Sequence, residues 1–115
     1  RRIPVSIITG AVYASIQVDP EPQLLNWLRE DLLKLSLRAR AHGVVLDVSG
    51  ITVLDSYTYQ QLIDTASMLK LVGAKTVLVG MRPGIVAGLC ELDIDLNSLA
   101  GATDVEQALG LLNER

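Results

Sequence analysis

Aromatic residues and cysteines are scarce in this sequence. Only 3% of its 115 residues are aromatic, phenylalanine is absent, and Cys90 is the single cysteine. One cysteine cannot form an internal disulfide or a cysteine-based zinc site, which agrees with a reducing compartment. Leu, Ile, Val and Ala must therefore fill the core, a composition that suits helices packed on a sheet.

A dense basic surface and a long apolar run are also missing. The formal net charge is −3, and the largest basic groupings are Arg1–Arg2 and the triplet Arg38, Arg40 and His42. Nucleic-acid binding requires a concentrated basic footprint. No apolar run approaches the ~18 residues of a membrane span, and the N-terminus lacks the pattern of a signal peptide. We therefore expect a cytoplasmic protein with no nucleic-acid or membrane partner.

Hydrophobic residues, in contrast, are abundant and make up 50% of the chain. We predict a single domain over residues 1–115, because two compact cores would each be too small to offset their conformational entropy. The apolar content exceeds that of an average soluble domain. Part of it is expected to be buried against partner molecules, so we expect homo-oligomers.

The first half of the chain predicts a hairpin, a long helix and a central strand. Two β-rich stretches, 3–9 and 11–18, are separated by Gly10. Apolar residues then recur at helical spacing from Pro20 to about Ala41, and His42-Gly43 is expected to end that helix. The run 43–49 is apolar without interruption, as in strands that are covered on both faces.

The second half alternates helices and strands. A helix begins at Asp55 or Ser56 and stops at Gly73, and a strand over 75–80 follows. A short helix opens at Pro83, residues 92–96 form an edge strand or a loop, and a capping box at 103–106 starts the last helix. This order predicts an α/β fold: a mixed central sheet of four to five strands with an N-terminal hairpin and about four helices.

The loop after the central strand holds two carboxylates, Asp47 and Asp55, and the hydroxyl of Ser56. In open α/β folds, ligands and partners gather at the carboxyl ends of the strands. One interpretation is that Asp55 or Ser56 simply caps the next helix. Another is a phosphate site, because the N–H groups and dipole at a helix N-terminus favour anions. The two interpretations are compatible.

These residues make the chain resemble the STAS domain family, in particular stressosome scaffold proteins and anti-sigma-factor antagonists. The resemblance covers nearly the whole chain. It rests on the order of elements and on the segments VLDVS (45–49), VLDS (53–56) and TVLVGMRP (76–83). It implies that a dedicated serine/threonine kinase phosphorylates Ser56.

The resemblance further implies a regulatory scaffold, not an enzyme, that sequesters the kinase until Ser56 is phosphorylated. The implied partners are this serine/threonine switch kinase, a phosphatase, and sensor-bearing STAS paralogues in a large complex. Because the first strand begins at once, the chain resembles the single-domain scaffold members. No cofactor or metal is expected. The residues expected around the phosphosite are Asp47, Asp55, Tyr57, Thr58, Tyr59 and Arg82.

Two other functions remain open at this point. A freely diffusing antagonist of an anti-sigma-factor kinase would be a monomer or dimer. A ligand-binding STAS module would need a pocket and would not respond to mutation of Ser56. An enzyme is disfavoured, because no acid–base pair, nucleophile dyad or metal set can be assembled from these residues. The sequence also leaves open whether Thr58 is a second phosphosite.

Overall fold

A computed structural model describes residues 2–91 and 99–113 of the protein. Over these residues the chain forms five strands and four helices. In chain order they are β1 (Val5–Ile8), β2 (Ala11–Ser15), α1 (Pro22–Ala39), β3 (Gly43–Asp47), α2 (Ser56–Leu71), β4 (Lys75–Val79), α3 (Pro83–Glu91), β5 (Ala100–Ala102) and α4 (Val105–Leu112). The predicted α/β fold is confirmed, including its N-terminal hairpin, five-stranded sheet and four helices.

The strands form one mixed sheet in the order β1-β2-β3-β4-β5. β1 and β2 are antiparallel and are joined by Thr9 and Gly10, whose φ angles of 50° and 81° suit a tight hairpin turn. The strands β2 to β5 are parallel. Their carboxyl ends therefore share one edge of the sheet, the carboxyl edge, and their amino ends share the opposite amino edge.

The helices cover the two faces of the sheet unequally. The larger core lies between one face and α1, α2 and α3, and it includes Leu32, Leu62 and Leu89. On the other face, Ala108 and Leu112 of α4 pack in a smaller cluster that includes strand residues. β3 is almost completely buried between these layers, as its apolar run predicts.

Some helix ends differ from the sequence prediction by one or two residues, and α1 begins at Pro22 instead of Pro20. α1 ends at Ala39, because Arg40 turns into the left-handed conformation (φ 51°) and the N–H of Ala41 donates to Ser36 O at 3.0 Å. The cap of α4 is Asp104, whose side chain accepts from Gln107 N at 2.8 Å. The predicted capping box is thus displaced by one residue, to a stronger N-cap residue than threonine.

The position of β5 was not predicted from the sequence, which left an edge strand or a loop at 92–96. It pairs with β4 in parallel, with Val77 opposite Ala100 and Val79 opposite Ala102. Alanine and glycine have low strand propensity. Pairing with the backbone of β4, on the side away from β3, therefore favours this strand more than the local sequence does. The edge strand or loop predicted at 92–96 lies outside the described residues.

A small polar and aromatic cluster fixes the residues before β1 to α1. Arg2 Nη1 donates to Asp31 Oδ1 at 2.8 Å, and Arg2 Nη2 donates to Glu30 Oε2 at 3.4 Å. The Arg2 guanidinium carbon also lies 5.4 Å from the ring centroid of Trp27. Since Arg2 and Glu30 are about half exposed, this cluster contributes little to stability and mainly sets the path of the chain.

Candidate functional site

Ser56 is the first residue of α2 and is exposed at the carboxyl edge. Asp55 precedes it with extended backbone, and Asp55 Oδ1 accepts from Thr58 N at 2.7 Å. Asp55 is therefore the N-cap of α2, which decides between the two candidates that the sequence leaves open. The Ser56 hydroxyl has no hydrogen-bond partner within residues 2–91 and 99–113. It can be modified without loss of an existing bond.

The negative charge of Asp55 is stabilised by its contacts with Thr58. The backbone N–H of Thr58, and then its hydroxyl, hold the pKa of Asp55 below its ordinary value. An ionised carboxylate therefore lies next to Ser56 at neutral pH. A phosphate on Ser56 would add about −1.5 to −2 charges beside it.

The three residues that follow Ser56 point in different directions. Tyr57 is exposed, whereas Thr58 and Tyr59 are buried. The two buried residues belong to the face of α2 that also buries Leu62. Of these three residues, only Tyr57 therefore presents its side chain to a docking partner. Phosphorylation of Thr58 would require the first turn of α2 to open.

Asp47 and Arg82 hold two neighbouring loops of the carboxyl edge together. Asp47 Oδ1 accepts from Ser49 N at 2.9 Å, and Arg82 Nη2 donates to Ser49 O at 2.8 Å. Gly80 has a φ of 80°, and a Cβ at that position would lie 2.8 Å from Ser49 Cβ. The loops after β3 and β4 are thus closely packed. In this conformation Asp47 and Arg82 bond to the backbone of Ser49.

Asp19 is part of the same edge and was missed by the sequence analysis. Its carboxylate accepts from Thr52 N at 2.7 Å, from Thr52 Oγ1 at 2.5 Å and from Val53 N at 3.2 Å. The Thr52 hydroxyl, followed by the N–H groups of Thr52 and Val53, holds the pKa of Asp19 below its ordinary value. Asp19 thereby fixes the loop that leads into Ser56. Asp19 follows β2, which neighbours β3 in the sheet, and this position in the sequence could have indicated that it belongs to the site.

Exposed apolar side chains accompany these polar contacts. Val18 is 58% exposed and Val53 is 69% exposed, and with Tyr57 they form what we call the apolar rim. Between the loop that leads into Ser56 and α3 lies a cleft of about 410 Å³. Arg82, Thr52 and Ile85 are among the residues that line it. The carboxyl edge therefore presents a serine, apolar side chains and a shallow cleft, which together suit the docking of a protein partner.

The parts of the chain that the structure describes hold no candidate metal site and no candidate membrane span. In residues 2–91 and 99–113, no group of three or more His, Cys, Asp and Glu side chains is placed to hold a metal ion. Over the same residues, no helix combines the length and the apolar character that crossing a membrane requires.

Comparison with known families and curated proteins gives consistent matches. Residues 8–95 match the STAS domain family. RsbT co-antagonist protein RsbRB of Bacillus subtilis (strain 168) is 28% identical over 91 residues, which are 79% of this chain and 33% of RsbRB. RsbT co-antagonist protein RsbRA of the same organism is 29% identical over 82 residues, or 71% of this chain and 30% of RsbRA. The chain thus spans about a third of the length of these relatives.

Solved structures share the fold over almost the whole chain. A serine-to-glutamate variant of Moorella thermoacetica RsbS has a TM-score of 0.79 and 25% identity, covering 96% of this chain and 93% of that chain. A chain from a structure of the stressosome, described as a signal integration and transduction hub, has a TM-score of 0.75 and 26% identity, covering 95% of each chain. Unphosphorylated SpoIIAA, an anti-sigma factor antagonist, has a TM-score of 0.71 at 10% identity, covering 98% of this chain and 99% of that chain, which shows a shared fold alone.

Proposed function

The chain belongs to the STAS domain family, as its sequence predicts, and on that premise we propose that it is a phosphorylation-controlled scaffold of a stressosome-type complex. In this function it binds and sequesters a serine/threonine kinase until Ser56 is phosphorylated. A phosphatase reverses the modification, and sensor-bearing STAS paralogues complete the assembly. The similarity to RsbS, to a stressosome chain and to two RsbT co-antagonists supports the proposal.

The position of Ser56 is the observation that carries this proposal. Ser56 is exposed at the N-terminus of α2, and Asp55 provides the cap. The first-turn N–H groups and the dipole of α2 favour an anion at this end. A phosphate on Ser56 therefore leaves α2 intact and changes the charge of the surface.

That change of charge supplies a mechanism of release. A partner docked on the apolar rim must remove water from the surface around Ser56 and the ionised Asp55. Phosphorylation adds charge at this place, which raises the cost of desolvation and repels acidic groups of the partner. A coupling of about 1–3 kcal/mol, or ~5–150-fold in affinity, is a usual size for such regulation.

Phosphosite mapping tests the proposal directly. The chain is incubated with its cognate serine/threonine kinase and ATP, and intact mass and phosphopeptides are measured. We expect one phosphate on the wild type, none on Ser56→Ala, and one on the control Ser67→Ala, which changes another exposed serine of α2. A wild type without phosphate, or a Ser56→Ala variant that keeps its phosphate, would contradict the proposal.

Size in solution separates the scaffold from a freely diffusing antagonist. Mixed with sensor-bearing STAS paralogues, the chain is expected to elute in a large assembly, whereas a freely diffusing antagonist elutes as a monomer or dimer. Kinase affinity is then compared between wild type, phosphorylated chain and Ser56→Asp. The aspartate should weaken binding less than the phosphate does, because it has one charge and fewer acceptor oxygens.

A further inference from the structure

The helices α1 and α2 run side by side across one face of the sheet. Both begin at the carboxyl edge and end at the amino edge. Near their middle, Arg29 Nη2 donates to Gln61 Oε1 at 2.7 Å and Arg29 Nε donates to Thr65 Oγ1 at 3.1 Å. The two ends of this helix pair are therefore held in a fixed arrangement, and they present different residues.

The C-terminal end of the helix pair carries only positive charge. Arg38, Arg40 and Lys70 are exposed there, and none of them forms a salt bridge with a residue that the structure describes. The last two turns of the helices, residues 33–39 and 65–71, contain no carboxylate. Cations at this position complement the dipoles of their own helices. That effect accounts for the charges and leaves the apolar side chains at the same end unexplained.

Two leucines are exposed at this C-terminal end. Leu37 in the last turn of α1 is 60% exposed, and Leu71 in the last turn of α2 is 87% exposed. Together with Arg38, Arg40 and Lys70 they form what we call the basic end. Exposed apolar side chains beside unpaired cations fit a partner that offers apolar side chains and carboxylates.

The carboxyl edge of the same chain offers both kinds of group. Asp19, Glu21 and Asp55 are exposed and lie within three residues of members of the apolar rim. Hydrogen bonds from Thr52 and Thr58 hold the pKa values of Asp19 and Asp55 below their ordinary values, so both are ionised at neutral pH. The side chain of Glu21 makes no capping hydrogen bond.

The balance of charge at this edge is negative. Arg82 is the cation described there, and its guanidinium donates to Ser49 O at 2.8 Å. The three carboxylates beside the apolar rim outnumber it. The two ends of the helix pair are therefore complementary in charge, and each also exposes apolar side chains.

We propose that the basic end of one copy docks on the apolar rim and the adjacent carboxylates of a second copy, so that chains associate head to tail. Contact between two basic ends is disfavoured, because Arg38, Arg40 and Lys70 would face the same cations of the other copy. Contact between two carboxyl edges is disfavoured for the corresponding reason. Head-to-tail docking instead directs the C-terminal ends of α1 and α2 towards the N-terminal ends of the same helices, which is favourable for their dipoles.

The two docking surfaces are different, and this determines how the association grows. Every added copy leaves one basic end and one carboxyl edge free, so the contact repeats and produces rings or chains instead of stopping at a dimer. The proposal does not rest on the scaffold function and does not require phosphorylation of Ser56.

Sedimentation velocity of the full chain at increasing concentration tests the association. We expect a Kd on the order of 100 μM in about 50 mM NaCl, with species larger than a dimer at the highest concentrations. In about 500 mM NaCl the association should be at least fivefold weaker, because exposed charges are screened. A chain that stays monomeric up to about 1 mM, or one that stops at a dimer, would overturn the proposal.

Two variants test the head-to-tail arrangement. Leu71→Glu places a negative charge on the basic end, and Val53→Lys places a positive charge on the apolar rim. Each should weaken self-association at least tenfold, because the new charge faces like charges of the partner. An equimolar mixture should form a dimer that does not grow, since the intact rim of the first variant binds the intact basic end of the second.

The control is Glu106→Lys, which reverses an exposed charge on α4, on the opposite face of the sheet. It should associate like the wild type, and circular dichroism confirms that all three variants remain folded. A mixture of Leu71→Glu and Val53→Lys that stays monomeric, self-association retained by either of these two variants, or an equal loss in Glu106→Lys would contradict the proposal. None of these results changes the outcome of Ser56 phosphosite mapping.

Discussion

The carboxyl edge and the amino edge of the same sheet satisfy their polar groups differently. At the carboxyl edge, Asp19, Asp47 and Asp55 each accept a hydrogen bond from a backbone N–H of a loop or helix start. At the amino edge, the buried hydroxyl of Thr76 has no partner among the described residues. The edge that presents Ser56 is thus fixed in shape before any modification. A phosphate there alters charge on a preorganised surface, whereas the amino edge holds a buried hydroxyl that no described residue satisfies.

The largest difference between the two edges is expected in the free energy of unfolding that a glycine-to-alanine substitution costs. A Cβ on Gly50 would lie 2.5 Å from both Gln17 Cα and Ile16 O, which are backbone atoms that cannot move aside. We expect Gly50→Ala to lower the free energy of unfolding by about 3 kcal/mol. At the amino edge, a Cβ on Gly73 meets no atom within 4 Å, and only its φ of 88° is unfavourable.

Gly73→Ala should therefore cost about 1 kcal/mol, from backbone strain alone. Urea unfolding of both variants measures the two values. Equal losses would mean that the loops of the carboxyl edge are not held as closely as the contacts of Gly50 indicate.

Two of the buried threonines, Thr65 and Thr76, give the next largest effects, with opposite signs. Thr65→Val removes the acceptor of Arg29 Nε and should lower the free energy of unfolding by about 1 kcal/mol. Thr76→Val removes a hydroxyl that has no partner within residues 2–91 and 99–113, and should raise it by a similar amount, about 1 kcal/mol. Thermal unfolding of the two variants side by side provides the comparison. A loss of stability in Thr76→Val would show that its hydroxyl is already satisfied.

Removal of the cap of α2 should have a smaller effect, and one that depends on pH. Asp55→Ala should cost up to about 1 kcal/mol near pH 7, because the carboxylate is mostly exposed and its bond to Thr58 is partly screened. The pKa of Asp55 is lowered in the folded state, so its contribution is complete above the unfolded pKa of about 3.9. It is lost as the pH falls through the lower, folded value.

The difference between wild type and Asp55→Ala should therefore narrow in acid. Urea unfolding near pH 7 and near pH 3 measures it. A difference that stays constant over this range would show that the ionised form of Asp55 does not stabilise α2.

The smallest change is expected for the residue that matters most to the proposed function. Ser56→Ala should alter the free energy of unfolding by less than about 0.5 kcal/mol, because Asp55 and not Ser56 caps α2. The same variant should lose all phosphorylation by the kinase. Calorimetry of Ser56→Ala beside Asp55→Ala checks the stability, and a loss as large as that of Asp55→Ala would assign the cap to both residues.

Much of the fold could be predicted because local pattern and tertiary environment agree. The helical spacing of apolar residues in α1 and the uninterrupted apolar run of β3 each indicate one type of element. The strand β5 has no such signal, since Ala100, Gly101 and Ala102 favour no strand and depend on pairing with β4. Long-range pairing of this kind cannot be read from neighbouring residues.

The candidate site likewise has features that local sequence predicts and features that depend on long-range contacts. The start of a helix at Asp55 or Ser56 follows from local sequence, because helix starts have strong residue preferences, and the structure then assigns the cap to Asp55. The contacts of Asp19 join residues 33 positions apart, and only the order of strands in the sheet brings them together. The burial of Thr58 and Tyr59 likewise depends on the direction in which α2 faces the core.

The contact between Arg2 and Trp27 also makes the protein convenient to study by fluorescence. Trp27 is the only tryptophan of the chain, so all indole emission comes from one place on α1. Because the Arg2 guanidinium lies over that ring, release of the N-terminal residues from α1 removes a cation from the excited indole. An emission spectrum can therefore report whether these residues remain packed on α1 when the chain enters a larger assembly, with no added label.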